Sequence, residues 1–174
     1  MAELVVYCDG SYLSDSGIGA WAFYIPELDV YAAGSGEGTS AQRFELKAVV
    51  AGIKYAMDVC PGRAVWIMTD CVHSTYWVSE VRLRIFGISQ RSRMPATDAD
   101  LIAQLDKLLR MVAVTVERAT SGNDPKHKLC HSLCSRESKA LAARILRRRN
   151  SRPPWYMRAL VRHGFGRIQS RIAA

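Results

Sequence analysis

Three acidic residues occupy positions where carboxylates can gather around a metal ion. Asp9 follows the apolar run 4–8, Asp70 follows a second run at 64–69, and Glu45 lies early in a segment with helical spacing of apolar residues. A carboxylate at the end of a buried strand costs free energy unless a cation meets it. Each residue alone is explained as a strand cap or turn former. The three together predict a site for hard divalent cations, since Mg²⁺ prefers oxygen ligands.

The elements that must position these residues follow from the hydrophobic pattern. Short apolar runs bounded by turn residues predict five strands, at residues 4–8, 19–25, 30–34, 64–68 and 112–116. Helical spacing predicts four helices, which begin after Ser40 and near residues 74, 98 and 127. Residues 10–19 are predicted to form a polar turn, and 82–95 an irregular segment. This order predicts an α/β fold, in which a mixed sheet is flanked by helices.

Four short motifs resemble those of the ribonuclease H family. They are a strand end, a glycine-rich hairpin, a helical Glu-Leu-x-Ala and a second strand end, at residues 9–11, 17–22, 45–48 and 69–71. Cys71 stands where the family usually has Ser. The resemblance covers residues 3–143 and implies a ribonuclease H-like mixed five-stranded sheet flanked by helices. The first three strands would form an antiparallel meander, and the fourth and fifth would run parallel to the first.

The same resemblance implies a function. Proteins of this family hydrolyse the RNA strand of RNA–DNA hybrids with two divalent ions, Mg²⁺ or Mn²⁺, which activate water and stabilise the leaving oxygen. Asp9 would bridge both ions, and Glu45 and Asp70 would each bind on one side. The expected partner is therefore an RNA–DNA hybrid, without a membrane or an obligate protein partner. The alternative is a catalytically weak or inactive nucleic-acid-binding module on the same fold.

The fourth metal ligand departs from the family pattern. The family has an Asp near the start of its last helix, and the motif places His131 in that slot and His127 in the slot of a preceding Asn. An imidazole there removes a negative charge and suits Mn²⁺ better than Mg²⁺. We therefore predict His131 as the fourth catalytic ligand. Glu137, ten residues after His127, and Asp124 are the alternatives.

The last helix also carries two cysteines between and beyond its histidines. A zinc site formed by His127, Cys130, His131 and Cys134 is not favoured, because residues 127 and 134 are about 10.5 Å apart along one helix axis. Four ligands of one zinc ion cannot converge from such a row. We expect instead that the cysteines pack on a helix face.

The C-terminal segment is strongly basic. The net charge is +8, and residues 144–174 hold nine Arg and no acidic residue, whereas residues 1–143 carry 15 basic and 16 acidic residues. We therefore predict a catalytic domain over 1–143 and an Arg-rich C-terminal extension over 144–174 that binds a polyanion. The predicted nucleic-acid contacts are Ser11, Arg43, Arg147, Arg148 and Arg149.

The composition of the chain indicates its cellular environment. Hydrophobic residues make up 49% of the chain, as in an ordinary globular protein, and no run approaches the ~18 apolar residues that span a bilayer. The five cysteines are an odd number without the spacing of a disulfide scaffold, and the first residues lack the pattern of a signal peptide. These features predict a reducing, cytoplasmic environment.

Overall fold

A computed structural model describes residues 2–88, 96–119 and 124–150, with side chains to residue 148. Its strands are β1 (Leu4–Leu13), β2 (Ile18–Ile25), β3 (Val30–Glu37), β4 (Val65–Thr69) and β5 (Val114–Arg118). Its α-helices are α1 (Ala41–Val59), α2 (Val72–Ile85), α3 (Ala99–Met111) and α4 (Pro125–Asn150), and short 3₁₀ turns cover Pro26–Leu28 and Ala96–Asp98. None of the helices in these ranges is long and apolar enough to cross a membrane.

The five strands form one mixed sheet, in the order β3-β2-β1-β4-β5. Strand β1 pairs antiparallel with β2 and parallel with β4, and β4 pairs parallel with β5. The predicted fold class and the predicted strand directions are confirmed. This topology puts β1 at the centre of the sheet, where its side chains are covered on both faces.

Two separate groups of apolar side chains cover the two faces of β1. Its residues Leu4, Val6 and Cys8 are fully buried in a core that contains one face of α1. The intervening Tyr7 packs in a second core with residues of α4. Because side chains alternate between the faces of a strand, α1 and α4 lie on opposite sides of the sheet. Residues beside Tyr7 and Cys8 can therefore be reached from both helices.

Strand β1 is longer than the apolar run predicted. Residues 10–13 were expected to begin a polar turn, but they continue the antiparallel ladder as far as the pair Leu13 and Ile18. The parallel ladder with β4 ends earlier, at the pair Tyr7 and Met68. Asp9 therefore lies inside β1, beyond the point where its neighbour β4 stops pairing. Residues 10–13 can extend the strand because β2 still supplies backbone hydrogen bonds.

Several further boundaries differ from the prediction. Helix α2 runs to Ile85, so residues 82–85 are helical rather than irregular, and residues 89–95 lie outside the described part. Strand β5 begins two residues later than the predicted residue 112. Helix α4 already begins at Pro125, a residue suited to the first turn of a helix.

The structure separates the chain into two units, residues 1–142 and 143–174. All five strands and the three predicted carboxylates lie in the first unit. The Arg-rich extension over 144–174 stays a prediction as a separate domain, and its residues 151–174 lie outside the described part.

Candidate metal centre

Two of the predicted carboxylates converge with an imidazole. One ligand atom each from Asp9, Asp70 and His127 lies within 4.8 Å of the others. Asp9 is only 3% exposed and His127 only 8%. The distance from His127 Nε2 to Asp70 Oδ1 is 3.6 Å. The arrangement therefore offers two oxygens and one nitrogen to a single small volume.

The register of two parallel strands brings Asp9 and Asp70 together. The last pair of the β1–β4 ladder is Tyr7 with Met68, and each aspartate follows its member of that pair by two residues. At Asp70 the chain turns into α2, and the Cys71 amide donates a hydrogen bond to Thr69 Oγ1 at 3.2 Å. The two carboxylates therefore meet at the carboxyl end of parallel strands, a common place for ligands in α/β sheets.

Glycine at position 10 lets α1 approach β1 closely, so that Glu45 lies beside the cluster of Asp9 and Asp70. A Cβ atom on Gly10 would lie 2.6 Å from the carbonyl carbon of Phe44 and nearer still to the Glu45 amide nitrogen. Helix α1 starts as predicted, since Ser40 Oγ accepts a hydrogen bond from the Arg43 amide at 3.2 Å. Any larger residue at position 10 would push the helix away. In the Asp-Gly pair of the motif, Asp9 supplies a carboxylate, and Gly10 allows the close helix contact that positions Glu45.

The carboxylates are crowded, and the described residues place no Arg or Lys ion pair beside them. Burial, followed by the charges of Asp9, Cys71 and Asp70, raises the pKa of Glu45 to about 10. Burial is also the main reason that the pKa of Asp9 is raised; His127 opposes this shift and Asp70 adds to it. Among the described residues, the ion-pair partners of Asp9 and Asp70 are histidines, not Arg or Lys.

Two buried polar atoms of the cluster have no hydrogen-bond partner in the described part of the chain. They are Oε2 of Glu45 and Nε2 of His127. A buried polar atom without a partner costs roughly 1–3 kcal/mol, so such atoms are rare unless something else binds them. Oxygen and imidazole donors are ligands of divalent ions. The donor set therefore fits the metal ions that the sequence predicted.

His131 lies one helical turn beyond His127 and reaches a different carboxylate. Its Nδ1 atom is 3.2 Å from Asp9 Oδ2, while its side chain is 71% exposed. The family motif predicts His131 as the ligand and places His127 in the slot of an Asn. The spacing of the two histidines was the available signal, since residues four apart on a helix share one face.

The other two alternatives for the fourth ligand have different surroundings. Asp124 Oδ1 accepts a hydrogen bond from the Lys126 amide at 2.9 Å, and its carbonyl oxygen accepts one from the Lys128 amide at 3.0 Å, so Asp124 caps α4. Glu137 is half-buried, and its carboxylate lies 3.9 Å from the guanidinium of Arg136. Neither belongs to the group around Asp9 and Asp70.

The cysteines of α4 pack against the strand that carries Asp9. Both are fully buried; Cys134 Sγ donates to the Asp9 carbonyl oxygen at 3.1 Å, and Cys130 Sγ donates to the Tyr7 carbonyl oxygen at 3.4 Å. Burial raises the pKa of Cys130 to about 12, which disfavours the thiolate that zinc requires. The predicted packing of the cysteines on a helix face is confirmed.

The predicted nucleic-acid contacts are distributed over several elements. Ser11 Oγ, on β1, donates to Ser138 Oγ of α4 at 3.3 Å. Arg43 donates to both carboxylate oxygens of Asp100, each at 2.8 Å. A phosphate at Arg43 would therefore compete with an existing ion pair. Arg147 and Arg148 are exposed on α4, and the side chain of Arg149 lies outside the described part.

Comparisons with known proteins agree with these motifs. The family model for RNase H matches residues 1–134. A ribonuclease H of Caldicellulosiruptor saccharolyticus is 27% identical over 108 residues, which cover 61% of this chain and 70% of that protein. A ribonuclease H of Thermosynechococcus vestitus is 27% identical over 110 residues, which cover 59% of this chain and 68% of that protein.

A solved structure shares the fold. It is the N-terminal RNase H domain of a Mycobacterium tuberculosis protein, determined as a fusion with maltose-binding protein. The TM-score is 0.63 at 12% identity, and the match covers 83% of this chain and 99% of that one. At this identity the likeness concerns the fold alone.

Proposed function

The chain belongs to the ribonuclease H family, and from this membership and the carboxylate cluster we propose that it is a metal-dependent endonuclease acting on the RNA strand of RNA–DNA hybrids. The observation that carries the proposal is the convergence of Asp9, Asp70 and His127 beside a half-buried Glu45, whose buried Oε2 has no hydrogen-bond partner among the described residues. A nucleic-acid-binding surface without chemistry has no need of carboxylates that lie close enough to repel each other, with Asp9 buried among them.

The chain's own residues would hold two divalent ions, Mg²⁺ or Mn²⁺. Asp9 would contact both ions, because it lies on the central strand, beside Asp70 on one side and the helix that carries Glu45 on the other. When bound, such ions supply an activated water and neutralise the charge that develops on the leaving oxygen. His131 keeps its predicted role at the fourth position, supported by its contact with Asp9.

The protein's contribution is to hold these groups rigidly in place. Asp9 is fixed by ladder pairing with β2 and by the thiol of Cys134 on its carbonyl oxygen. Asp70 is fixed by the turn between β4 and α2. Groups held in place before the substrate arrives need no reorganisation during the reaction, and this lowers the barrier.

A second candidate is a catalytically weak or inactive nucleic-acid-binding module on the same fold. The observation in its favour is the fourth ligand position, where an exposed His131 stands in place of a carboxylate. The other acidic candidates, Asp124 and Glu137, do not join the cluster. Loss of one negative charge would weaken the binding of Mg²⁺ in particular.

One experiment separates the two candidates. The full chain is incubated with a labelled RNA–DNA hybrid, an RNA duplex and a DNA duplex, first in Mg²⁺ and then in Mn²⁺. The nuclease proposal expects cleavage of the hybrid alone, in its RNA strand, with the Asp9→Asn protein as the inactive control. Binding of the hybrid without cleavage in either metal would support the binding module instead.

The proposed nucleic-acid contacts are tested by salt dependence. Each arginine that neutralises a phosphate adds roughly 0.9 to the slope of log affinity against log salt on a duplex. Replacing Arg147, Arg148 and Arg149 together with Gln should therefore flatten the slope by up to about 2–3. An unchanged slope would remove these arginines from the binding surface.

A further inference from the structure

We propose that His127 is a direct metal ligand and that its imidazole makes this site prefer Mn²⁺ to Mg²⁺. This inference rests on the proposed metal-dependent function. It concerns a residue that the family motif places in the slot of an Asn, so family membership does not supply it. Three observations support it: His127 is buried, its Nε2 lies 3.6 Å from Asp70 Oδ1, and that nitrogen has no hydrogen-bond partner among the described residues.

The first support is the unpartnered nitrogen. His127 is 8% exposed, and its buried Nε2 has no hydrogen-bond partner among the described residues. Leaving a buried nitrogen without a hydrogen bond costs free energy, and packing alone would favour an apolar side chain at this position. The nitrogen nevertheless lies 3.6 Å from Asp70 Oδ1, and one ring nitrogen of His127 is within 4.8 Å of ligand oxygens of both Asp9 and Asp70. A bound cation would satisfy the nitrogen and both carboxylates at once.

The second support is the spacing of the donor atoms. His127 Nε2 lies 3.6 Å from Asp70 Oδ1, which is too long for a hydrogen bond. Ligand atoms bind first-row ions at about 2.0–2.2 Å, so two ligands of one ion are roughly 3–4 Å apart. The observed separation suits two atoms that share an ion better than two that bond to each other.

The chemistry of the donors sets the preference. Mg²⁺ favours oxygen ligands and loses its water reluctantly, whereas imidazole binds Mn²⁺ and later transition ions more readily. Two carboxylates with one buried imidazole therefore form a mixed donor set. His131 is a weaker candidate for the same role, because its side chain is 71% exposed and it contacts only Asp9 among the carboxylates of the cluster.

The test measures metal binding by the full chain without nucleic acid. Mn²⁺ is titrated and followed by electron paramagnetic resonance, and Mg²⁺ affinity is obtained by competition. We expect His127→Asn to weaken Mn²⁺ binding by about tenfold or more while Mg²⁺ binding changes much less. His73→Asn is the matched control, since His73 is half-buried and lies in a separate cluster with Asp98. It should leave both affinities unchanged.

A second measurement keeps His127 intact. Pulsed resonance of bound Mn²⁺ detects a directly coordinated nitrogen, and that signal should persist in His131→Asn. The inference is overturned if His127→Asn binds Mn²⁺ within about twofold of the wild type, or loses Mn²⁺ and Mg²⁺ equally. It is also overturned if the nitrogen signal vanishes in His131→Asn.

The outcome is separable from the proposed function. A protein that shows the expected Mn²⁺ binding but does not cut the hybrid would contradict the nuclease and leave His127 as a ligand. A protein that cuts the hybrid while His127→Asn retains wild-type Mn²⁺ affinity would contradict only this inference.

Discussion

Two clusters of acidic residues and histidine lie in the first unit of the chain, and the pKa values of their carboxyl groups are shifted in opposite directions. The candidate metal centre contains Asp9, Asp70 and His127, with Glu45 beside them, and burial raises the pKa of Glu45 to about 10. The second cluster gathers aspartates and a histidine around the starts of α1, α2 and α3, and a hydrogen bond from Arg43 lowers the pKa of Asp100.

An arginine accounts for the difference. Arg43 donates to both oxygens of Asp100 at 2.8 Å and lies 3.6 Å from buried Asp98, whose other oxygen is 3.4 Å from His73 Nε2. The arginine supplies the positive charge that these carboxylates require. In the metal centre, the described residues offer no Arg or Lys ion pair to the carboxylates. In this chain, the acidic cluster proposed to hold metal ions is the one without an Arg or Lys ion pair among the described residues.

The largest expected effect comes from neutralising the metal centre. Asp9→Asn should reduce hybrid cleavage by at least about 10³-fold, because the proposed bridging ligand supplies several kcal/mol of transition-state stabilisation. The melting temperature should stay unchanged or rise slightly, since one repulsive buried charge is removed. Single-turnover cleavage and thermal unfolding measure the two effects. Near wild-type turnover in Mg²⁺ would contradict the assignment of Asp9.

The matching substitution in the second cluster should have the opposite outcome. Asp98→Asn removes the charge that Arg43 and His73 face, and we expect the free energy of unfolding to fall by about 1–3 kcal/mol. Cleavage per folded molecule should remain close to wild type. Urea unfolding and cleavage assays on the same preparation provide the comparison. A large loss of activity with unchanged stability would mean that the two clusters are not functionally distinct.

The pH dependence of stability should distinguish the clusters next. Folded Glu45 has its pKa raised from 4.5 to about 10, so the metal-free folded protein keeps a proton that the unfolded chain loses above about pH 4.5. The folded state therefore binds more protons, and the free energy of unfolding decreases as the pH rises through this window. Glu45→Gln should flatten that decrease. Chemical unfolding in a chelator at several pH values measures it, and an equally steep dependence in the variant would contradict the shift.

The smallest expected effect concerns metal preference at the exposed histidine. His131→Asp restores a carboxylate in the family's slot and should shift the ratio of Mn²⁺- to Mg²⁺-supported cleavage severalfold toward Mg²⁺. Cleavage rates in each metal measure the ratio. If His131→Ala is silent while Glu137→Gln is inactive, Glu137 is the fourth ligand instead.

Local pattern was sufficient for the elements that carry the carboxylates. The apolar runs before Asp9 and Asp70 predicted two strands, and Ser40 predicted the start of α1, because strand period and helix capping depend on residues close in sequence. The order of elements, together with the family motifs, then predicted the sheet. The extension of β1 through Leu13 was missed, since residues 10–13 form a strand through pairing with β2, which is distant from the local pattern.

What the sequence by itself determined is the set of acidic residues and the strands and helices that carry them. Tertiary structure decided which charges are paired. Arg43 is a predicted nucleic-acid contact, and in the folded chain it donates hydrogen bonds to Asp100, 57 residues away. His127 was placed in the slot of an Asn, yet one of its ring nitrogens lies within 4.8 Å of oxygens of Asp9 and Asp70. Neither outcome follows from a local pattern, because the free energy of a charge depends on its burial and its neighbours, and both are fixed only when distant segments pack together.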